Sequence, residues 1–452
     1  MQRPGTDTIC AVATPAGAGG LGIVRVSGPE VPVIAKTLIG ALPAPRYAVL
    51  ANFTDADGAI IDSGIALYFP APHSFTGEHV LELQGHGGTF VLQQLMQRVL
   101  DLGGRAARPG EFSERAFLND KMDLVQAEAI ADLIDSGSYA AARAAQRSLQ
   151  GVFSRQVHRL QEELTSLRVF VEAAIDFPDE EIDFLAESDI TQRVHQAELH
   201  ITELLAGARR GRLLRDGIVL AIIGRPNAGK SSLLNALSGQ DSAIVTDIPG
   251  TTRDVLREQI DLDGIPVHVA DTAGIRETTD RIEAEGIRRA RQALESADIV
   301  LLIRDATDEG GPEEALNSEV PSGTQSIIVA NKVDLMPAER LRKQAAKDKE
   351  QQVWISAKTG QGVAELRRRI RVAVGASDQV EGSFSARQRH VDALKRTQQH
   401  LHTGRDQMKR HQAGELLAEE LRLAQQALGE ITGEMMPDDL LGEIFSSFCI
   451  GK

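Results

Sequence analysis

The chain has 452 residues, 42% hydrophobic and 25% charged, and its 49 Lys and Arg against 64 Asp and Glu give a formal net charge of −15. This length predicts about two to four domains, and the lack of a signal-peptide pattern and of an apolar run of about 18 residues favours a cytoplasmic protein without a membrane span. The acidic balance excludes general adhesion to nucleic acid, and two cysteines at opposite ends, Cys10 and Cys449, exclude a disulfide scaffold or a CxxC metal site.

Residues 1–118 have the texture of a small α+β domain. Short β-rich runs, such as Gly22–Ser27 and Ala66–Phe69, alternate with Gly and Pro, and residues 92–102 have helical spacing. From the residues alone, the polar features near these runs are interpreted as surface features. They are the glycine-rich segments 84–88 and 108–113 and the charged residues Arg25, Glu82 and Lys121.

Residues 119–214 change to a helical period. Apolar residues recur at alternating steps of four and three, which predicts two long helices separated near Phe177 and Pro178. The recurring residues are Phe153, Val157, Leu160, Leu164, Leu167, Val171 and Ala174, then Ile190, Val194, Ala197, Ile201, Leu204 and Ala208. Packing in an antiparallel bundle is favoured for so narrow an apolar seam, and a coiled-coil dimer is the alternative.

Residues 215–376 alternate buried-strand runs with helical stretches, which is the rhythm of a doubly wound α/β sheet. The strand runs are Ile218–Ile223, Val267–Ala270, Ile299–Ile303 and Ile327–Ala330. Helical spacing returns over residues 377–452. The predicted fold is therefore multidomain: an N-terminal α+β domain (1–118), a helical domain in two parts (119–214 and 377–452), and a Ras-like P-loop α/β domain (215–376) inserted between those parts.

The segment Gly224-Arg225-Pro226-Asn227-Ala228-Gly229-Lys230-Ser231 follows a predicted strand and opens a predicted helix, Ser232–Leu237. In this context the G-x4-G-K-S pattern is typical of a loop that holds nucleotide phosphates. Its glycines let backbone N–H groups approach phosphate oxygens, and the helix N-terminus adds positive potential. We expect Lys230 to reach the β- and γ-phosphates and the Ser231 hydroxyl to bind Mg²⁺.

Four further segments indicate which nucleotide base is bound and which residues would take part in hydrolysis. Asp271-Thr272-Ala273-Gly274 is expected at the Mg²⁺ shell and the γ-phosphate, and Thr251-Thr252-Arg253-Asp254 in a switch loop with a Thr on Mg²⁺. In Asn331-Lys332-Val333-Asp334, a carboxylate can accept hydrogen bonds from N1–H and the 2-amino group of guanine, which adenine does not offer. GTP is therefore the predicted nucleotide. Ser356-Ala357-Lys358 is interpreted as a support for the base ring.

The residue after Gly274 is Ile275, where many GTPases place a Gln that orients the attacking water. Another group must therefore do this work; the nearby candidates are Arg253, Arg276, Glu277 and Glu283. The amide oxygen of Asn227 can ligate a monovalent cation, and K⁺ beside the phosphates would offset charge as an arginine finger does, an effect of about 10³–10⁵ in rate. A turn-stabilising role is the alternative for Asn227, and spacing alone favours it.

The chain ends in Phe445-Ser446-Ser447-Phe448-Cys449-Ile450-Gly451-Lys452, which is not a CaaX prenylation box. From the residues alone a frayed tail is favoured. The alternative is a docked helix end, held by its apolar residues, that carries Cys449 or Lys452 into a site.

Several segments together carry a family resemblance. They are the phosphate loop, Asp271–Gly274, Asp247-Ile248-Pro249-Gly250-Thr251-Thr252-Arg253-Asp254, Ala116-Phe117-Leu118-Asn119-Asp120-Lys121 and the final Cys449–Lys452. With them the chain resembles, over essentially its whole length, the bacterial tRNA modification GTPases of the MnmE (TrmE) family. The resemblance implies a K⁺-activated GTPase that installs an aminomethyl or carboxymethylaminomethyl group at C5 of the wobble uridine of certain tRNAs.

The resemblance also implies partners and cofactors. They are a second copy in a homodimer, an FAD-dependent partner subunit of the MnmG (GidA) type that uses NADH and completes a heterotetramer, tRNA, and 5-formyl- or 5,10-methylene-tetrahydrofolate. The folate would be bound by the N-terminal domain, which would also dimerise. No membrane is implied.

Residue roles follow from the resemblance position by position. The folate contacts would be Arg25, Glu82, Lys121 and Lys452, which moves Lys452 from tail to site. The K⁺ ligands would be Asn227, Thr246, Ile248 and Thr251, and the Mg²⁺ ligands Ser231 and Thr252. Further GTP contacts would be Ala228, Gly229, Lys230, Ser232, Asp247, Pro249, Gly250, Asp271 to Gly274, Asn331 to Asp334 and Ser356 to Lys358. Glu283 would orient the attacking water, and the other catalytic residues would be Asn227, Lys230, Arg253 and Cys449, with no particular chemical step assigned to Cys449.

A ribosome-assembly GTPase switch without folate chemistry is the alternative function. It predicts no pterin affinity and no effect of deleting the last four residues. A basic strip, Arg209, Arg210, Arg212 and Arg215, is a candidate RNA contact, although a solvated linker is the favoured interpretation of it.

Overall fold

The computed structural model describes most of the chain, in two compact units. The first comprises Met1–Ala131, Leu149–Ala197 and Arg396–Lys452, and the second Asp132–Ser148 and Glu198–Lys395. The domain boundaries expected after residues 118, 214 and 376 stay predictions. The described residues are 7–176, 187–225, 227–238, 258–270, 294, 297–308, 320–321, 324–347, 352–374, 383–411, 414–434, 438–446, 448–449 and 451.

A six-stranded sheet organises the N-terminal region. In order across the sheet its strands are β3 (Val49–Thr54), β4 (Ile60–Phe69), β5 (Val80–Gly87), β2 (Gly19–Ser27), β1 (Ile9–Val12) and β6 (Arg105–Ala106). The predicted β-runs are confirmed within β2 and β4, but residues 84–87 belong to β5 and not to a surface loop. Their glycines serve close strand pairing, since a Cβ on Gly87 would lie 2.6 Å from the Gly19 carbonyl oxygen.

Three helices accompany this sheet. They are α1 (Val31–Ile39), α2 (Thr89–Asp101) and α3 (Glu111–Leu118). Ile34 of α1 and Leu95 of α2 join Val24 and Leu83 of the sheet in one buried apolar cluster. The helical spacing predicted over residues 92–102 is confirmed by α2.

The next helices match the predicted change of period. They are α4 (Leu124–Ile134), α5 (Tyr139–Leu149), α6 (Val152–Asp176) and α7 (Glu187–Asp216). The apolar residues predicted at steps of four and three along α6 and α7 are all buried, which confirms both seams. The break predicted at Phe177 and Pro178 lies outside the described residues.

The inserted region is built on a second six-stranded sheet. In order across it lie β12 (Gln352–Trp354), β11 (Gln325–Asn331), β10 (Ile299–Asp305), β7 (Ile218–Gly224), β9 (Ile265–Ala270) and β8 (Glu258–Leu262), of which only β8 pairs antiparallel. The helices α8 (Lys230–Ser238), α9 (Ala338–Lys347) and α10 (Val363–Ala373) and a 3₁₀ turn, Val333–Leu335, complete its described part. The predicted strand runs and the doubly wound P-loop fold are confirmed, and the site is expected where the parallel strands end.

The chain then returns to helix, in α11 (Gln388–His411), α12 (Gly414–Thr432) and α13 (Asp438–Ser446). Helix α12 packs along α6: Arg168 Nη1 donates to Gln425 Oε1 at 2.7 Å, and Gln425 Nε2 donates to Thr165 Oγ1 at 2.6 Å. The seam of α6 is thus covered within the chain, as the bundle interpretation predicts. Among the described helices, none has the length and apolarity that crossing a bilayer requires.

One buried carboxylate holds both ends of the insertion. Asp132 Oδ1 accepts hydrogen bonds from Arg215 Nε at 2.7 Å, just before β7, and from Arg387 Nη2 at 2.8 Å, just before α11. Its Oδ2 accepts from Ser385 Oγ at 2.9 Å, and the side chain is 4% exposed. We call this group the Asp132 clasp; it fixes the entering and leaving segments side by side.

Candidate nucleotide and N-terminal sites

The phosphate loop leaves the sheet at the end of β7 through backbone that only glycine fits. A Cβ on Gly224 would overlap the Ile303 carbonyl oxygen on the neighbouring strand. Asn227 and Gly229 adopt positive φ angles of 63° and 95°. Such turns gather backbone N–H groups toward one concavity, which favours an anion. The loop geometry therefore fits the triphosphate expected there.

Lys230 begins α8 and turns its side chain back over the loop. Its Nζ donates to the Gly224 carbonyl oxygen at 2.7 Å and to that of Arg225 at 3.3 Å. Ser231 and Ser232 are exposed in the first turn of the same helix. The predicted phosphate and Mg²⁺ contacts of the loop therefore share one helix start, where the positive end of the helix dipole lies.

Asn331 joins the phosphate loop to the base-binding segments. Its Nδ2 donates to the Ala228 carbonyl oxygen at 2.9 Å, and its Oδ1 accepts from the Ala357 N–H at 3.0 Å. The residue is 2% exposed, so these bonds satisfy an amide that would be costly to bury alone. A Cβ on Gly229 would overlap Asn331 Nδ2, which shows how closely the two segments approach.

Asp334 and Ser356 form the floor of the candidate base site. The Ser356 hydroxyl, fully buried, donates to Asp334 Oδ1 at 2.6 Å, while Asp334 itself is exposed. Val333 is buried beneath the turn and Lys358 is exposed beside it. Ser356 fixes one oxygen of the Asp334 carboxylate while the residue stays exposed to solvent. Such a carboxylate is suited to accept hydrogen bonds from a guanine edge.

Part of the predicted site lies outside the described residues. These residues are Thr246, Asp247, Ile248, Pro249, Gly250, Thr251, Thr252, Arg253, Asp271, Thr272, Ala273, Gly274, Glu283 and Lys452. Their assigned roles stay predictions. Sequence reasoning did not single out Asp305, which forms an ion pair with Lys332 at 2.8 Å; its place at the end of a predicted parallel strand was the available signal.

In the N-terminal region, Arg25 and Glu82 face each other across β2 and β5. Arg25 Nη2 lies 2.9 Å from Glu82 Oε1, and Arg25 Nη1 donates to the Gly451 carbonyl oxygen at 3.3 Å. The guanidinium also lies 5.8 Å from the ring centroid of Phe75 and 5.7 Å from that of Phe112. Arg25 is therefore not an isolated surface charge, because strand pairing and the chain end build a partly enclosed platform around it.

The C-terminal end docks on this platform, so the frayed-tail interpretation is wrong. Phe445 and Phe448 are buried, and the Gly110 N–H donates to the Cys449 carbonyl oxygen at 3.3 Å. Gly110 has a φ of 66°, and a Cβ there would overlap the Phe445 carbonyl oxygen. Cys449 is a free, exposed thiol. Burial of the two aromatic rings explains the docking, as the docked-helix alternative expects.

Lys121, the other predicted folate contact in the described part, is exposed at the end of the α3 region. The stem of its side chain lies beside Gly77, where a Cβ would meet the Lys121 Cγ and Cδ atoms at 3.3 Å. The Lys121 N–H donates to the Ala116 carbonyl oxygen at 2.8 Å. Its backbone is thus fixed while its ammonium remains accessible.

The segment 108–113 was expected at the surface, but α3 buries charged side chains from it. Arg115, 4% exposed, donates to Glu78 Oε1 at 3.0 Å and to Glu111 Oε1 at 3.2 Å. Burial would raise the pKa of Glu111, but hydrogen bonds from Arg105 and from the Arg108 N–H lower that pKa to about 2. The expectation was wrong because Glu111 is held by Arg115, whose other partners, Glu78 and Asp7, lie 37 and 108 residues away in sequence. We call this set the α3 charge network.

The basic strip lies on α7 and is not a linker. Arg212 Nη1 donates to Gln388 Oε1 at 2.8 Å, and Arg215 belongs to the Asp132 clasp and also pairs with Asp216. Arg209 is exposed. Arg215 thus has a structural role, and RNA contact by the strip stays a prediction.

Comparisons with known proteins match the whole chain. The family model described as "GTP-binding protein TrmE N-terminus" matches residues 8–121, and the "MnmE helical domain" model matches residues 124–449. A protein of Stutzerimonas stutzeri named "tRNA modification GTPase MnmE" is 56% identical, covering 99% of this chain and 100% of its own length. One of the same name from Hydrogenovibrio crunogenus is 54% identical, covering 100% of both chains.

A solved structure of Era in complex with MgGDPNP and 16S ribosomal RNA nucleotides is 29% identical, covers 40% of this chain and 66% of that one, and gives a TM-score of 0.29, too low to carry an argument. The family models and relatives suffice without it. Two matching domain models and more than half identity over 99% of its length place this chain in the MnmE family, whose curated members are named tRNA modification GTPases.

Proposed function

We propose that this chain is a K⁺-activated GTPase that acts in tRNA modification with an FAD-dependent partner subunit, which uses NADH. Together they would install an aminomethyl or carboxymethylaminomethyl group at C5 of the wobble uridine, with a tetrahydrofolate as one-carbon donor. Family membership supports the tRNA role. The observation that carries the GTPase role is the Asn331 bridge between the phosphate loop and the segment that supports Asp334.

In the proposed hydrolysis, the guanine edge meets Asp334 and the triphosphate lies in the loop 224–231. Lys230, whose ammonium already lies over this loop, would exchange carbonyl partners for β- and γ-phosphate oxygens. Ser231 and Thr252 would hold Mg²⁺, which would supply positive charge to offset the charge that develops on the phosphates. Glu283 would orient the attacking water, the role that Ile275 leaves open.

K⁺ activation is proposed on the position of Asn227. This residue is exposed at the mouth of the loop with a φ of 63°, so its amide can face an ion beside the phosphates. A cation there would neutralise charge that builds on the transferring phosphoryl group. Thr246, Ile248 and Thr251 would complete the ion's shell.

The test is GTP hydrolysis in matched KCl and NaCl. We expect the unmodified chain to be faster in KCl by about tenfold or more, since the cation replaces an arginine finger. Asn227→Gly should be equally slow in both salts, and glycine accepts the positive φ without strain. GDP affinity, measured on both proteins, should be unchanged. Equal rates for the unmodified chain in the two salts would contradict the K⁺ mechanism and leave the GTPase assignment intact.

Folate binding is proposed at the Arg25 platform. Arg25, with Glu82 opposite and the chain end alongside, would offer a charged partner to a pterin and its glutamate tail, and the half-buried Phe75 would offer a ring for stacking. Lys121 and Lys452 would add cations. Homodimerisation and contact with tRNA and the partner subunit, in the cytoplasm, belong to the same proposal.

Deleting residues 449–452 is expected to abolish binding of 5-formyl-tetrahydrofolate, measured by calorimetry, because it removes Lys452 and the Gly451 carbonyl that holds Arg25. GDP affinity of the same variant serves as the control and should not change. Undiminished folate binding would remove the chain end from the site. No folate binding by the intact chain would favour the ribosome-assembly switch.

A further inference from the structure

Asp305 lies at the carboxyl end of β10, directly beside the base-binding segment. It pairs with Asn331 in the parallel register of β10 and β11, and the Ala306 N–H donates to the Asn331 carbonyl oxygen at 2.8 Å. Across this junction Lys332 Nζ lies 2.8 Å from Asp305 Oδ2. The carboxylate therefore holds a residue that stands between Asn331 and Asp334.

The carboxylate is itself fixed by its own turn. Asp305 Oδ1 accepts hydrogen bonds from the Thr307 N–H at 3.0 Å and from the Thr307 hydroxyl at 2.7 Å. Although partial burial raises it, the pKa of Asp305 is lowered overall by the hydrogen bonds from Lys332 and Thr307. The carboxylate is thus ionised at neutral pH and presents one defined oxygen to the lysine.

Lys332 combines a left-handed backbone conformation with an anchored side chain. Its φ is 68°, in the left-handed region that few residues other than glycine adopt. A lysine side chain has several rotatable bonds, and ordering it when a ligand binds costs entropy. Because Asp305 holds the ammonium, the lysine side chain is already ordered before the nucleotide binds. Its aliphatic stem is then available to contact the planar ring of the base.

We infer that Asp305 is a positioning residue for guanine binding, acting through Lys332. The inference deepens the proposed function and rests on GTP being the nucleotide. It opposes what simple electrostatics predicts. Removing a negative charge near a polyanionic ligand should tighten binding, whereas loss of the lysine anchor should weaken it. Whether the Asp305 substitution weakens or tightens nucleotide binding therefore distinguishes loss of the lysine anchor from simple removal of a negative charge.

The experiment measures the dissociation constants of GDP and GTP for Asp305→Asn in the full chain. We expect both to rise about fivefold, the size of a partly exposed ion pair, and by the same factor because the base is common to both. The turnover number at saturating GTP should not change. Glu339→Gln is the control: it removes an exposed carboxylate in the first turn of α9, shortly after Asp334, and should leave both constants unchanged or slightly lower.

A second variant separates positioning from general damage. Lys332→Met keeps an aliphatic stem and removes the ammonium, so adding Asp305→Asn to it should cause no further loss. Tighter or unchanged GDP binding by Asp305→Asn would overturn the inference, and so would an equal loss in the Lys332→Met background. Failure of the intact chain to prefer GDP over ADP would instead overturn the GTP assignment on which the inference rests.

Discussion

Asp334→Asn is expected to shift nucleotide preference from guanine to xanthine, weakening GDP binding by about 10²–10⁴-fold. The carboxylate accepts hydrogen bonds from N1–H and the 2-amino group, and each bond to a charged acceptor contributes about 1.5–3 kcal/mol. Tenfold in affinity corresponds to about 1.4 kcal/mol. The amide of the variant can donate to the 2-oxo group of xanthine, which repels the original carboxylate.

Measuring GDP and XDP on the same variant provides the internal control, because a misfolded site would lose both. Ser356→Ala removes only the hydroxyl that fixes Asp334 Oδ1 at 2.6 Å, so it should weaken GDP binding by about fivefold without any gain for XDP. GDP affinity that is unchanged in Asp334→Asn, with no gain for XDP, would show that Asp334 does not contact the base.

Arg115→Leu is expected to destabilise the N-terminal region by about 3 kcal/mol or more, since it leaves the buried Glu78 carboxylate without its cation and removes one of the cations that pair with Glu111. Arg115 donates to Asp7 Oδ1 at 2.8 Å as well as to Glu78 and Glu111. Leucine fills much of the space, so the loss reflects charge more than a cavity. No solvent-exposed arginine should have an effect of this size.

The readout is the labelling rate of Cys10. This thiol is fully buried, and burial raises its pKa to about 12, so a thiol reagent reacts only when the N-terminal region opens. We expect labelling about 10²-fold faster in Arg115→Leu. Arg108→Leu, which removes a side chain 61% exposed in the same network, is the control and should change the rate little. Equal rates in both variants would show that the α3 charge network does not hold this region together.

Features with a local period could be predicted from the sequence. The seam of α6 is visible because one helix face repeats over 25 residues, and every predicted seam residue of α6 is buried. The phosphate loop could also be predicted, because its G-x4-G-K-S pattern is contiguous in sequence. In both cases the information lies close together along the chain.

Features made by distant residues could not be predicted. Arg115 resembles a surface residue in its local context, and its burial depends on Glu78, 37 residues away, and on Asp7, 108 residues away. The contact between Arg25 and the Gly451 carbonyl oxygen likewise joins residues 426 positions apart. Without the fold, nothing brings these partners together.

The Asp132 clasp has a consequence for folding during synthesis. Asp132 leaves the ribosome 255 residues before Arg387, its partner beyond the insertion, so the whole α/β region is made while this carboxylate lacks two of its three partners, Ser385 and Arg387. The α/β region depends mainly on contacts within itself and can fold first, since domains fold as units while the chain emerges. A chain interrupted before Ser385 would therefore keep its phosphate loop, and Asp132 would be left with Arg215 as its ion-pair partner.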